Sequence, residues 1–203
     1  MNLNTVRRAF LVGAPLAFAA LLTLHPMGTG SMFDAVSENV TRWLIVHYGG
    51  AIGFPAMALV IWLLIRDLPG RAATIARCAL PVYAVFYGVW EALFGIATGI
   101  IAGAGNSLSG AEREGAEAAF DAIITSPLVG EPGVFVSIGS LAWWTAISAA
   151  ILALKHAGVR PLALVLLGLG GLMAFHVPVG PPALVCLSIA AYMIERHRVQ
   201  VAA

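Results

Sequence analysis

Residues 78–102 have the sequence CALPVYAVFYGVWEALFGIATGIIA, in which Glu91 is the sole charged residue. A helix needs about 20 predominantly apolar residues to cross the hydrocarbon core of a bilayer, and this stretch meets that length. Five other apolar stretches are bounded by charges, Gly or Pro and follow the same pattern. They cover residues 9–25, 43–65, 133–154, 161–177 and 181–194. The sequence therefore predicts an all-α, polytopic membrane protein with six transmembrane helices in a single integral membrane domain, 1–203.

The composition supports a membrane protein. Hydrophobic residues make up 60% of the chain and charged residues 10%, and the mean hydropathy is +0.92. Soluble domains carry about 25% charged residues. The net charge of +1 comes without a concentrated basic surface, so we expect no nucleic-acid partner. The expected partner is the lipid bilayer.

The basic residues predict how the chain is oriented. Threading six spans alternately across a bilayer puts nine Lys and Arg residues on one side and two on the other. The larger set is Arg7, Arg8, Arg66, Arg71, Arg77, Lys155, Arg160, Arg196 and Arg198, and the smaller set is Arg42 and Arg113. Because short cytoplasmic loops carry the excess of Lys and Arg, both termini are expected in the cytoplasm. Loops 26–42 and 104–132 are then external to the cell membrane.

The longer external loop, 104–132, contains a helical pattern. Ser109 precedes Glu112 by three residues, which is the spacing of a capping box. Apolar residues at Ala116, Phe120 and Ile123 then recur at helical intervals. The sequence predicts an amphipathic outer helix of about 110–125, between spans 3 and 4.

Four ionisable residues, His25, His47, Glu91 and His176, lie in or at the ends of the apolar spans. A titratable side chain at membrane depth is costly, and its default interpretation is a functional site facing protein or a cavity. At 1.5 Å per residue, the four lie roughly 21–29 Å from the last inner basic residue of their own span. That depth is one layer in the outer half of a hydrocarbon core about 30 Å thick. We therefore expect the four to converge on one outward-facing site.

Glu91 carries the strongest of these signals, because its own span has no basic neighbour. A lone ionised carboxylate at that depth is too costly, so Glu91 should be protonated, paired or bound to a cation. Tyr87, Gly95, Gly99 and Gly103 recur around it at intervals of four. This pattern places Glu91 on a small-residue stripe that faces another helix, and Tyr87 is the expected second-shell hydrogen-bond donor. Pro26 is expected to end span 1 at His25, near the interface.

Glycines near His47 suggest how its helix packs. Gly49 and Gly53 are four residues apart, which suggests that span 2 packs against span 3 through this ridge. Together with Gly50 they are also the small residues that we expect to make room for a haem. Spans 5 and 6 are joined by a Pro- and Gly-rich hairpin, 177–182, which suggests an outward-open vestibule above His176.

Three classes of function fit these residues. The preferred one is a redox or hydrolytic metal site for zinc, iron or copper, or a b-type haem, with His47, His176, Glu91 and His25 as ligands. Glu91 acts there as ligand or proton-transfer group. The second is a proton-coupled transporter of small molecules, because Glu91 and the histidines can exchange protons. The third is a non-catalytic membrane subunit or scaffold. The sequence leaves the small-molecule or lipid substrate and the oligomeric state open.

Overall fold

A computed structural model describes residues 3–26, 30–175 and 178–202, which form helices joined by turns and short loops. The α-helices, in chain order, are α1 (Leu3–Leu22), α2 (Met32–Ser37), α3 (Val40–Ile65), α4 (Arg71–Trp90), α5 (Thr98–Gly105), α6 (Gly110–Ile124), α7 (Val134–His156), α8 (Pro161–Gly170) and α9 (Gly180–Ala202). A π-helix, Glu91–Ala97, joins α4 to α5, and a 3-10 helix, Gly171–Phe175, follows α8. The predicted all-α class is therefore confirmed for the described part of the chain.

Four helical stretches within these ranges are long and apolar enough to cross a membrane. They are Thr5–Leu22, Val40–Ile65, Arg71–Gly105 and Val134–His156. A shorter apolar stretch, Pro161–Met173, covers most of the expected fifth span. The α-helical geometry of that stretch ends at Gly170, where two successive glycines precede the tighter 3-10 turn.

The longest helical stretch consists of α4, the π-helix and α5 in one continuous run, Arg71–Gly105. The π-helix begins at Glu91, in the middle of that run. A π-helix is wider than an α-helix, is rare, and is frequently found at functional sites. The sequence pattern did not predict it, because the apolar residues around Glu91 satisfy either geometry.

The bundle core lies where α3, α4 and α7 meet. The Tyr83 ring is 4.6 Å from the Trp143 ring and 5.0 Å from the Tyr87 ring, measured between centroids. Phe54 of α3 completes the group, with its ring 4.7 Å from that of Tyr87. All four side chains are buried. This aromatic packing fixes the face of α4 that continues into the π-helix, so Glu91 is directed toward α3.

At the C-terminal end of α3, away from Glu91, arginine side chains hold the ends of α1, α3 and α9 together. Arg7 of α1 donates to the Leu63 carbonyl, and Arg198 of α9 donates to the carbonyls of Leu63 and Leu64. These carbonyls are among the last of α3 and lack partners within their own helix. Arg77 of α4 similarly donates to the Ile65 carbonyl. Basic residues from α1, α4 and α9 therefore gather at one end of the bundle, around the last carbonyls of α3.

Several local expectations were wrong. Gly49 and Gly53 do not face span 3: side-chain positions there would meet Leu21 and Phe18 of α1. The glycine of this segment that faces span 3 is Gly50, and a Cβ there would lie 2.9 Å from the Glu91 carboxyl carbon. The chain's own side chains thus occupy the space beside Gly49, Gly50 and Gly53, so no room for a haem is left there.

Helix ends also differ from the sequence pattern. α1 ends at Leu22, so His25 lies past the helix in the connection to α2. Ser109 precedes α6 but its side chain makes no capping hydrogen bond. Ser31 caps α2 instead: its hydroxyl accepts from the Asp34 backbone N–H at 3.1 Å and donates to the Asp34 carboxylate at 2.7 Å. The predicted loop 26–42 therefore contains a short helix.

Candidate functional site

His47 and Glu91 form a buried pair, here called the dyad. His47 lies two turns into α3 and Glu91 is the first residue of the π-helix. Nδ1 of His47 is 2.7 Å from Oε2 of Glu91, and each side chain is 2% exposed. The sequence-based expectation that Glu91 is paired and faces protein therefore has a specific partner, an imidazole on the neighbouring helix.

The approach of α3 to the π-helix depends on glycines. A Cβ at Gly50 would lie 2.9 Å from the Glu91 carboxylate, and one at Gly95 would overlap the His47 ring. A Cβ at Gly99 would similarly come 2.7 Å from the Trp43 ring. These contacts explain the glycine stripe seen in the sequence, because a larger residue at any of these positions would separate the helices.

Trp43 braces the same contact one turn before His47. Its indole Nε1 donates to the Gly95 carbonyl at 2.6 Å, and its ring centroid lies 4.2 Å from that of His47. The Thr98 hydroxyl donates to the carbonyls of Phe94 and Gly95. These bonds satisfy carbonyls of the π-helix, where the regular α-helical pairing is interrupted. Sequence reasoning missed Trp43, although its four-residue spacing from His47 places both on one helix face.

His25 reaches the dyad from the connection after α1. Its ring centroid lies 5.4 Å from that of His47 and 5.2 Å from that of Trp43. Nδ1 of His25 is 3.0 Å from the Pro26 carbonyl oxygen, so this nitrogen carries a proton and donates. The structure thus brings together three of the four predicted residues, His25, His47 and Glu91. The fourth, His176, lies outside the described residues.

The rings of His25 and His47 are oriented in the same way toward their oxygen partners. In each ring, Nδ1 faces an oxygen: the Pro26 carbonyl for His25 and the Glu91 carboxyl for His47. With Nδ1 protonated, Nε2 carries the lone pair in both rings. Nε2 of His47 is buried and has no hydrogen-bond partner in the part of the chain that the structure describes. A buried ring nitrogen needs a bonding partner, so the partner of this one must be something other than the described residues.

Tyr87 lies one turn before the dyad on α4. Its hydroxyl is 3.0 Å from the hydroxyl of Ser140 on α7, so the two form a hydrogen bond. No pattern in the sequence predicts Ser140 as this partner. The expected role of Tyr87 in supporting Glu91 stays a prediction.

Metal-ligating side chains do not form a complete set within the described ranges. Residues 3–26, 30–175 and 178–202 contain no group of three or more His, Cys, Asp or Glu side chains able to hold a metal ion. His25 and His47 therefore supply two imidazoles, and a further ligand would have to come from His176 or from solvent.

Comparisons with protein-family models, with curated proteins and with solved structures found no match to this chain. The functional argument therefore depends on the geometry of the dyad and of the residues around it.

Proposed function

We propose that this chain is a six-span membrane protein that binds a transition-metal ion in the outer half of the bilayer, through Nε2 of His25 and His47. The observation that carries the proposal is the buried, unpartnered Nε2 of His47, whose opposite nitrogen faces a carboxylate. Metal-binding histidines usually donate their other ring N–H to a carboxylate or a backbone carbonyl. Both of those acceptors occur here, one on each imidazole.

The spacing of the two rings also supports the proposal. Two imidazoles on one tetrahedral metal, with metal–nitrogen distances near 2 Å, have ring centroids about 5 Å apart. The centroids of His25 and His47 are 5.4 Å apart. Glu91 then orients His47, while remaining available for proton transfer. His176 is the expected third ligand, and a bound metal would supply Lewis acidity or redox chemistry at its open position.

The membrane placement belongs to the same proposal. With six spans and the basic end of the bundle in the cytoplasm, the dyad lies toward the outer surface. The helix α6, which carries Glu112, Glu114 and Asp121 on exposed positions and buries Phe120, then lies at that surface as an amphipathic element. The apolar spans α1, α3, α4–α5 and α7 contribute the lipid-facing surface.

Metal titration of the purified full chain tests this function. We expect wild-type protein to bind Co²⁺ or Zn²⁺ near one equivalent, and His47→Ala to abolish binding. Glu91→Gln keeps the ligand but weakens its orientation, so it should lower the affinity by about 10–100-fold. His156→Ala is the matched control, because His156 is exposed at the far end of α7. Equal metal uptake by wild type and His47→Ala would contradict the proposal.

The dyad also favours a second function, proton-coupled transport. A carboxyl and an imidazole at 2.7 Å, both buried, can pass one proton between them without leaving a net charge in the bilayer. In vesicles, this function predicts proton-dependent solute flux that Glu91→Gln abolishes. Flux without metal binding would favour transport. The absence of both flux and metal binding would favour a scaffold whose polar groups only bond one another.

A further inference from the structure

A cavity lined by basic side chains lies between α8 and α9, at the basic end of the bundle. Its volume is about 200 Å³, and it is lined by Arg160, Tyr192, Met193, Arg196 and His197. A water molecule takes up roughly 30 Å³ of liquid, so the cavity has room for a group of several heavy atoms. Its basic side chains take no part in the His47–Glu91 site.

The basic groups of this cavity lack acidic partners. None of the ion pairs among the described residues includes Arg160, Arg196 or His197. The nearest carboxylate in the sequence, Glu195, is paired with Arg7 at 3.1 Å and Arg8 at 3.8 Å. Arg196 contacts Tyr192 instead, with its guanidinium 5.8 Å from the ring centroid and one nitrogen 3.5 Å from the hydroxyl. The cavity is therefore a positively charged space without its own counter-ion.

The donors match a phosphate group. Arginine presents a planar fork of N–H groups that fits phosphate oxygens, and Tyr192 adds a hydroxyl. Arg160 immediately precedes Pro161, the first residue of α8. The positive end of that helix dipole therefore reinforces the attraction of the side chains for an anion.

Apolar side chains next to the cavity point to a lipid as the source of the phosphate. Leu162 and Val165 are exposed on α8 just beyond Arg160, and Ile189 is exposed on α9 one turn before Tyr192 and Met193. Basic pockets between membrane helices on the cytoplasmic side bind anionic headgroups. We propose that this cavity binds the phosphate of an anionic phospholipid, with the acyl chains lying along the exposed faces of α8 and α9.

Lipid retention by the full chain tests the site. Protein purified in micelles that contain equal amounts of phosphatidylglycerol and phosphatidylcholine is analysed by native mass spectrometry. Wild type should retain phosphatidylglycerol preferentially. Each basic group near a membrane surface contributes about fivefold to the binding of anionic lipid, so Arg160→Gln with Arg196→Gln should reduce retention about 25-fold.

Arg71→Gln with Lys155→Gln is the matched control. It removes the same charge from two exposed residues that do not line the cavity, and it should retain the lipid as wild type does. Equal losses in the two double variants would overturn the proposal in favour of a diffuse charge effect. Displacement of the lipid by millimolar inorganic phosphate, or equal retention of phosphatidylcholine, would overturn the assignment to an anionic lipid. Size-exclusion profiles that match wild type confirm that each variant is folded.

Discussion

Two carboxylates near opposite ends of α3 are paired with bases in different ways. Glu91 and its partner His47 are each 2% exposed. Glu195 is 12% exposed and is paired with Arg7, which is 20% exposed, and with the largely exposed Arg8. We call this second group, with Arg198, the Glu195 cluster. An imidazole gains and loses protons near neutral pH, whereas a guanidinium stays charged.

The Glu195 cluster and the dyad also differ in what their basic side chains bind. In the Glu195 cluster, Arg7 and Arg198 also donate to the Leu63 carbonyl, so these arginines fasten helix ends together. Burial, followed by the charge of Arg7, lowers the pKa of the Arg198 guanidinium, but its usual value is high enough that the group remains a cation. In the dyad, one imidazole nitrogen is left for another partner. The cluster is therefore a structural brace, whereas the dyad is the site at which we propose that a ligand or proton is exchanged.

The largest expected difference is in the cost of breaking each pair. His47→Leu leaves Glu91 without its buried partner and should lower the free energy of unfolding by about 3–5 kcal/mol. Glu195→Gln removes a charge from a more accessible pair and should cost about 1 kcal/mol or less. Reversible unfolding in mixed micelles measures both.

A double variant tests whether the stability lost in His47→Leu comes from the broken His47–Glu91 pair. His47→Leu with Glu91→Leu replaces the whole dyad by apolar groups and should recover most of the lost stability, since replacing both members of a buried pair is often close to neutral. A double variant no more stable than His47→Leu would show that the loss comes from packing instead of from an unpaired carboxylate.

The second prediction concerns the glycines that permit the dyad to form. Gly95→Ala would place a methyl group against the His47 ring and should cost about 1–3 kcal/mol of stability. Gly88→Ala, in the same long helix, has no atom near its side-chain position and should be neutral or slightly stabilising. Thermal denaturation in detergent compares the two. Equal shifts would contradict the close approach of α3 to the π-helix at Gly95.

The sequence was sufficient to predict that Glu91 faces protein and is protonated, paired or bound to a cation, because a single carboxylate in an apolar helix has few other stable environments. It could not identify His47 as the partner. That contact depends on which residues of α3 and the π-helix come together in the bundle, and the periodicity within one span does not predict the residues of another span that it meets. The prediction that Gly49 and Gly53 face span 3 was wrong for a related reason. Small-residue spacing shows that another helix approaches, without showing which helix.

Span boundaries were easier to predict in the middle of the chain than at its ends. The central spans correspond to α3, to Arg71–Gly105 and to α7, all long and apolar. The expected fifth span corresponds to a shorter apolar stretch, Pro161–Met173, whose α-helical geometry ends at Gly170. The short helix α2 was missed, since a six-residue helix has too few apolar positions to establish a period.

The smallest expected effect concerns the indole brace beside the dyad. Trp43→Phe removes the hydrogen bond to the Gly95 carbonyl and should lower the free energy of unfolding by about 1 kcal/mol. The loss is modest because that carbonyl also accepts from the Thr98 hydroxyl at 3.0 Å. Trp62→Phe, at a position that is 38% exposed, is the control and should change stability by less than about 0.5 kcal/mol.

Metal affinity separates a structural role of Trp43 from a positioning role. If the indole holds the π-helix in the register that places Glu91 against His47, Trp43→Phe should weaken Co²⁺ binding several-fold while Trp62→Phe leaves it unchanged. Loss of stability with unchanged affinity would restrict Trp43 to packing. Such a result would leave the position of Glu91 dependent on the glycine contacts alone, in contrast to the Glu195 cluster, where side-chain hydrogen bonds hold the helix ends.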